Sequence, residues 1–585
     1  MKFLLTAINA KYIHSNLGVY SLKKYAESAS SGEYGITIEI AEYTINHPVS
    51  QILQDIYRRR PDIIGFSCYI WNLDYVWELV HDLHKILPGT DIWLGGPEVS
   101  FDARQILERE PEVLGVMKGE GETVFVELLT GYRLLGSSVQ QWQQRHLEKK
   151  QEEFRTAEWR AFWKKLHQLS GVAFRGEDEG IQDNAIRAAE TLSQIPFPYT
   201  DLSEMEHRII YYESSRGCPF SCSYCLSSID KSVRFRDLKL VKQELDFFLD
   251  RRVPQVKFVD RTFNCKKEHA MIIWQHILDH DNGVTNFHFE VAADQMEEEE
   301  LKLLEKMRPG LIQLEIGVQS TNPDTIREIH RQMDLNQLRR AVKRINQGHN
   351  IHQHLDLIAG LPFEGYESFH RSFNEVYEME PEQLQLGFLK VLKGSYMYDM
   401  AEKYELVYQE KPPYEVLSTR WISYEELCRL KGIEAMVEVY YNSGQFIHTL
   451  SRLMQELTDP FAFYEQLAQY YENRGLNGRN HTRLARYDFL HDFIRELSGD
   501  KGKYWQDQLE DTLVFDCYLR ENCKSRPGFA LDLTPYKDKI RNLVPEMRKL
   551  GRQVHVEVLR SKEIWLFDYR NRDPLTGNAS VTQLE

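Results

Sequence analysis

Over the first 135 residues, short apolar runs alternate with amphipathic segments. KFLLTAI (2–8), ITIEIAEY (36–43), DIIGFSCY (62–69), DIWLGG (91–96) and VLGVMKG (113–119) each read as a buried strand. SLKKYAESA, SQILQDIYRRR, LDYVWELVHDLHKIL and FDARQILERE between them carry helical periodicity, and ETVFVELLTGY continues it after the fifth run. Five strands alternating with helices predict a parallel, doubly wound, Rossmann-like (flavodoxin-like) α/β sheet with its ligand site at the carboxyl ends of the strands. A polar, Gly-free stretch at 138–168 predicts an inserted helix, followed by a hairpin-like SGVAFRGEDEGI and a Pro-bearing linker at 193–202.

A second alternation runs from about 209 to 395, with strand candidates IIYYESS, QVKFVD, NFHFEVAA, LIQLEIGVQ, IHQHLDLIAG and QLQLGFLKV. Six strands separated by helices predict a partial (β/α)6 barrel. From 396 onward the chain turns mostly helical and aromatic-rich and closes with a strand pair, QVHVEVLR and EIWLFDYR. The expected domains are therefore 1–137, 138–204 (helical insertion and linker), 205–395 and 396–585.

With 42% hydrophobic and 27% charged residues, the 585-residue chain fits a globular protein of several domains rather than a disordered one. It holds no run of the roughly 18 apolar residues that a membrane span needs, and no signal-peptide pattern follows Met1, so the cytoplasm is the expected address. The balance of 72 Lys+Arg against 88 Asp+Glu, net −16, disfavours nucleic acid as a partner without excluding a local basic groove.

Of eight cysteines, three crowd into Cys218-Pro-Phe-Ser-Cys222-Ser-Tyr-Cys225, directly after the apolar run RIIYYESSRG. Three thiolates in one loop bind three irons of a 4Fe-4S cluster and leave the fourth iron open. A zinc site would need a fourth ligand, and the nearest further cysteine, Cys265, is forty residues on. This CxxxCxxC spacing, with Tyr224 before the third cysteine, resembles the radical S-adenosylmethionine (radical SAM) superfamily. The resemblance implies that Cys218, Cys222 and Cys225 hold the cluster. It also implies that SAM chelates the open iron through its methionine amino and carboxylate groups and is cleaved to a 5′-deoxyadenosyl radical.

Downstream, Glu290 lies in NFHFEVAA, Gln319 and Ser320 end a strand, Arg331 follows Gln319 by twelve residues, and Asp356 follows Arg331 by twenty-five. This run is similar to the SAM site of the oxygen-independent coproporphyrinogen oxidase branch. That similarity implies ribose or nearby polar contacts for Glu290, Gln319 and Asp356, and an Arg331 fork on the SAM carboxylate. Ser320 and Tyr224 join this SAM set. Where related proteins carry a GGEP-like turn, this chain has Phe258-Val-Asp-Arg-Thr-Phe263, leaving Asp260 as either a substitute polar contact or a structural cap.

In the N-terminal segment, Gly95-Gly96-Pro97-Glu98 and Gly119-Glu120-Gly121-Glu122 follow the fourth and fifth strands. Glycines there let backbone approach a bulky ligand, and the next helix offers free N–H groups. Placed before a radical SAM core, these turns resemble the cobalamin-binding domain of cobalamin-dependent radical SAM enzymes. By that resemblance Ser67, Gly95, Gly96, Gly119, Glu120, Gly121 and Glu122 would line the corrinoid. The first loop departs from the DxHxxG motif, with Tyr12 where Asp belongs and Leu17 where Gly belongs, so His14 is expected to be a loop hydrogen bonder or tail contact rather than a cobalt ligand. Cys517 and Cys523 are read as packing residues, with a redox pair or extra metal ligands as the alternatives.

The expected function is cobalamin-dependent radical SAM methylation of an unactivated carbon, served by an external electron donor of flavodoxin or ferredoxin type. The alternatives are a non-methylating rearrangement or cyclisation, a tRNA-modifying radical SAM enzyme, and a cobalamin-binding sensor. The methylthiolating tRNA enzymes carry a second cysteine triplet in their N-terminal domain, whereas this N-terminal region has only Cys68.

Overall fold

The computed structural model describes all residues except 31–34, 137–155, 178–179, 188–190, 499–502 and 546. It contains two compact units. The first comprises Met1–Phe289, Lys390–Glu402 and Tyr408–Glu415, and the second comprises Glu290–Leu389, Lys403–Val407 and Val416–Glu585.

The first unit opens with β1 (Lys2–Asn9), β2 (Thr37–Thr44), β3 (Ile63–Ser67), β4 (Asp91–Gly95) and β5 (Gly115–Met117). All five are parallel, in the order β2-β1-β3-β4-β5, which is the flavodoxin-like order. Alternation along β1 explains why both faces are covered. Phe3, Leu5 and Ala7 join an apolar cluster with Val124, Leu128 and Phe162, while Leu4 and Ile8 join the opposite cluster with Ile52, Val76 and Ile106.

The stretch expected as a separate hairpin is part of this sheet. Strands β6 (Val172–Arg175) and β7 (Ile181–Asp183) add to β5 in antiparallel sense, making seven strands. The reason is again alternation, since Val172 and Phe174 enter one cluster and Ala173 the other. Of the inserted helix predicted over 138–168, residues 138–155 lie outside the described residues. Ala157–Gln168 is helical, capped by Thr156 accepting from the Trp159 N–H, and buries Trp159, Phe162, Trp163 and Leu166.

The same unit holds β8 (Ile210–Tyr212), β9 (Ser215–Arg216), β10 (Arg234–Phe235), β11 (Gln255–Phe258) and the start of β12 (Asn286–Val291). Val256 of β11 lies beside Ile210 on one side and Phe287 on the other, both in parallel register. The linker is tied down by Arg236, which donates to the Leu192 and Ile195 carbonyls at 2.9 and 2.8 Å and pairs with buried Glu244.

In the second unit β13 (Ile312–Gln319), β14 (His352–Ala359) and β15 (Gln383–Phe388) run parallel, with Ile316, Leu355 and Leu384 in one row. Six strands, β8 and β11 to β15, thus alternate with helices between Ile210 and Phe388, the order predicted for the barrel, with the short β9 and β10 between the first two. The C-terminal part is helical from Tyr424, and its first helix carries a capping box of Ser423 and Glu426. That helix passes into a π-turn, Val437–Asn442, whose Asn442 accepts from the Leu384 N–H and donates to the Leu384 carbonyl, both at 2.9 Å. Side-chain amide geometry thereby satisfies the free edge of β15.

The closing strand pair proves to be three antiparallel strands, Val554–Val558, Ile564–Arg572 and Ala579–Gln583. The third is short and mostly polar, which hides it from an apolar pattern. No described helix is long and apolar enough to cross a membrane.

Candidate cofactor site

The cysteine loop is closed at its base by a two-residue ladder, in which Ser215 faces Phe235 and Arg216 faces Arg234. The Cys218 N–H donates to the Asp230 carbonyl at 3.2 Å, and the Cys225 N–H donates to the Cys222 carbonyl at 3.2 Å. These bonds hold the intervening turn without any regular element. Cys218 and Cys222 are buried and Cys225 is partly exposed, as is Tyr224 beside it. Burial pushes the Cys218 thiol up, so the metal itself must drive ionisation, as coordinating cations do. Three soft sulfur donors with no fourth thiol in the loop fit an iron–sulfur cluster with one open iron.

Asp260 is fully buried and accepts from the Ser214 N–H at 2.9 Å, the Ser214 hydroxyl at 2.6 Å and the Ser215 hydroxyl at 2.7 Å. Of its two expected roles, the geometry matches the structural cap: its carboxylate anchors the strand that leads into the cysteine loop. Burial raises it to about 6 against those three donors.

At the carboxyl ends of β3, β4 and β5 the first unit opens a cleft of about 850 Å³, in the range of large cofactor sites. Ser67, Gly95, Gly96, Gly119, Glu120, Gly121 and Glu122, the residues predicted for the corrinoid, all line it. So do Arg216, Gly217, Leu226 and Ser227, which flank the cysteine loop. The glycines have mixed reasons. Gly96 has φ +111°, and a Cβ there would lie 2.5 Å from the Cys68 carbonyl oxygen, so its own neighbouring turn already requires glycine. A Cβ on Gly95 would make only ordinary contacts, about 3.6 Å from Met117. Glu98 does not line the cleft; it accepts from the Tyr414 hydroxyl, and nearby Lys393 pairs with Asp102 at 2.6 Å.

Two arginines absent from the sequence prediction organise this wall. Arg216 reaches Glu122 at 2.8 Å, Glu213 at 2.8 Å and Glu120 at 3.2 Å, and Arg234 pairs with Glu120 and with Asp230 at 3.2 Å. Burial would raise the Glu122 carboxyl, but Arg216 outweighs it and holds it below the ordinary range. The available signal was the placement of Arg216 and Arg234 on either side of the cysteine triplet in an acidic chain. His14 is absent from the cleft lining; its Nδ1 lies 2.7 Å from the Tyr211 hydroxyl, and burial, then Lys11 and Lys257, lower its pKa.

In the second unit, Gln319 and Arg331 converge on Gly317. Arg331 donates to the Gly317 carbonyl, and a Cβ on Gly317 would lie 2.2 Å from Gln319 Nε2. Gln319 sits at the β13 bulge with φ +71°, and its Oε1 is buried without a hydrogen-bond partner among the described residues. A buried amide oxygen of this kind fits a ligand that supplies a donor. His354 Nε2 lies 3.1 Å from Asp356 Oδ1 one pleat along β14, and Glu290 is partly exposed in β12. Ser320 is fully buried and donates to Glu364 at 2.8 Å.

Comparison with known proteins accounts for three segments. Residues 4–129 match the B12 binding domain, residues 212–376 the Radical SAM superfamily, and residues 402–565 a protein family of unknown function, DUF4080. The chain is similar to a 2-(S-pantetheinyl)-carbapenam-3-carboxylate methyltransferase of Streptantibioticus cattleyicolor, 23% identical over 74% of this chain and 65% of that one. It is also similar to the cobalamin-dependent radical SAM methyltransferase TokK of Streptomyces tokunonensis, 23% identical over 84% of this chain and 70% of that one. Among solved structures it shares a fold with the cobalamin-dependent radical enzyme OxsB, at a TM-score of 0.57 and 15% identity, over 94% of this chain and 81% of that one. The chain thus carries a B12-binding domain, a radical SAM domain and a DUF4080 domain in that order, and is homologous to cobalamin-dependent radical SAM methyltransferases.

Proposed function

We propose that this protein is a cytoplasmic methyltransferase that adds a methyl group to an unactivated carbon and draws electrons from a flavodoxin- or ferredoxin-type donor. The observation that carries the reading is a cleft of the first unit lined both by the carboxyl-end turns of the B12-type sheet and by residues flanking the cysteine triplet. When bound, the cluster and SAM supply a hydrogen-abstracting radical, and cobalamin supplies a transferable methyl group.

The chain's own task is to hold and orient. Cys218, Cys222 and Cys225 would bind iron as thiolates, and the Arg216 and Arg234 ion pairs fix the loop that carries them. Ser67, Gly95, Gly96 and Gly119 to Glu122 would line the corrinoid. Tyr224, Glu290, Gln319, Ser320, Arg331 and Asp356 would serve SAM, with the Gln319 amide oxygen offering an acceptor. Domain limits at 137, 204 and 395 belong to the same reading. Two relatives whose names state methyl transfer support it, 23% identical over 74% and 84% of this chain.

The test is anaerobic incubation of the reconstituted protein with cell extract and methyl-labelled SAM. The expected result is a compound that gains one labelled CH₂ only when reductant and cobalamin are both present. A product of unchanged carbon count, formed while SAM is consumed, would replace methylation by rearrangement or cyclisation.

A further inference from the structure

Three cysteines hold the cluster loop, but the DUF4080 segment contains a second arrangement of thiols. Cys517 lies in the last turn of the helix Lys503–Arg520, and Cys523 lies just past that helix's end. Their sulfurs are 3.1 Å apart. Arg483, from the helix Arg483–Ser498, brings Nη1 to 3.3 Å from Cys523 Sγ and 4.0 Å from Cys517 Sγ. The guanidinium is itself fixed, donating to the Cys517 carbonyl and lying 3.5 Å from Glu521. Cys517 is fully buried and Cys523 is partly exposed.

A cation against both sulfurs opposes a second positive charge between them, and no group of three metal-capable side chains among the described residues includes them. It favours a thiolate instead. The Cys517 hydrogen bond first, and Arg483 after it, hold the Cys523 thiol below its ordinary value against burial, whereas the same hydrogen bond and burial raise Cys517. The two sulfurs are thus unequal in access and in charge, as an attacking and a resolving thiol must be.

We propose that Cys517 and Cys523 form a reversible dithiol–disulfide couple that exchanges with small organic disulfides, with Cys523 attacking and Cys517 resolving. The Cys523 thiolate attacks one sulfur of the disulfide, forms a mixed disulfide and expels one thiolate. Cys517 gives its proton to that thiolate and attacks Cys523 Sγ, closing the Cys517–Cys523 bond and expelling the second thiolate, which takes a proton from solvent. Two cysteine thiols lose two electrons in all, and the organic disulfide is reduced to two thiols. Closure needs the sulfurs to move from 3.1 Å to about 2.05 Å, a shift of about 1 Å. The bond would fasten the segment leading to the C-terminal strands onto the end of the helix whose Asp516 caps Thr449.

The test uses the anaerobic holoprotein equilibrated in glutathione–glutathione disulfide buffers, quenched with acid, alkylated and mapped by peptide mass. The expected result is a Cys517–Cys523 disulfide that grows with the glutathione disulfide fraction and is reversed by glutathione. At neutral pH Cys523 is expected to alkylate first, and Arg483→Gln to slow it about tenfold, the effect of one pKa unit on thiolate content. In Cys523→Ser, Cys517 is expected to stay reduced. The proposal is overturned if wild-type protein keeps both thiols at every buffer ratio while exposed Cys428 is glutathionylated, or if Cys523 stops at the glutathione mixed disulfide. These wild-type readouts decide the matter even if Arg483→Gln does not fold.

Discussion

Single residues carry charges that the fold has buried, and their partners decide whether those charges help. Glu122 is 8% exposed and faces Arg216 at 2.8 Å, so Arg216→Met would leave a carboxylate buried without its main counter-charge. Breaking such a pair costs about 3–5 kcal/mol. We expect a loss of that order in chemical denaturation, together with reduced iron uptake, because the same guanidinium braces the cysteine loop. In Arg216→Met/Glu122→Gln much of the stability is expected to return while the cleft wall stays altered.

Asp516 makes a pH prediction. It is buried, and burial raises it to about 7 although Thr449 and His448 donate to it. Because its folded pKa lies above the unfolded value, its contribution to stability is full below about pH 4 and is lost as the pH rises toward about 7. Asp516→Asn should remove that part of the pH dependence, so the stability difference between variant and wild type changes by a few kcal/mol between those limits. Parallel pH profiles in guanidinium titrations would refute the assignment.

Turns and edges decide how the elements meet. Gly96→Ala sets a Cβ 2.5 Å from the Cys68 carbonyl at φ +111°, and should cost more than about 1 kcal/mol and weaken cobalamin retention. Asn442→Ala leaves the Leu384 N–H and carbonyl at the β15 edge without their partner, and a loss of about 1–3 kcal/mol is expected in thermal or denaturant unfolding.

These features show where the sequence is legible. The five parallel strands are written as near-continuous apolar runs because both faces of that sheet are covered, and the cysteine triplet is legible because metal chemistry fixes its spacing. The hairpin of β6 and β7 is legible but its addition to β5 is not, and β7 and the last C-terminal strand are short, half-polar edge strands, where alternation over a few residues gives little signal. By sequence Gly96 suggests room for a ligand, whereas the neighbouring Cys68 carbonyl already demands glycine there. Asp260 is a polar residue beside a site that proves to hold the backbone, a distinction between contact and support that spacing does not encode.

At the scale of the whole molecule, a B12-type sheet and a radical SAM cysteine loop share one compact unit, and the DUF4080 segment, apart from Glu402 and Tyr408–Glu415, belongs to the other. On the proposed function, one chain holds both cofactors through separable residues. Metal analysis of anaerobically reconstituted protein addresses it directly. Wild-type protein should hold about four irons and one cobalt per chain. Cys218→Ala should lose iron and keep cobalt, whereas Gly96→Ala should lose cobalt and keep iron. Wild-type protein that takes up iron but no cobalamin, or two variants that lose both metals together despite folding, would contradict it.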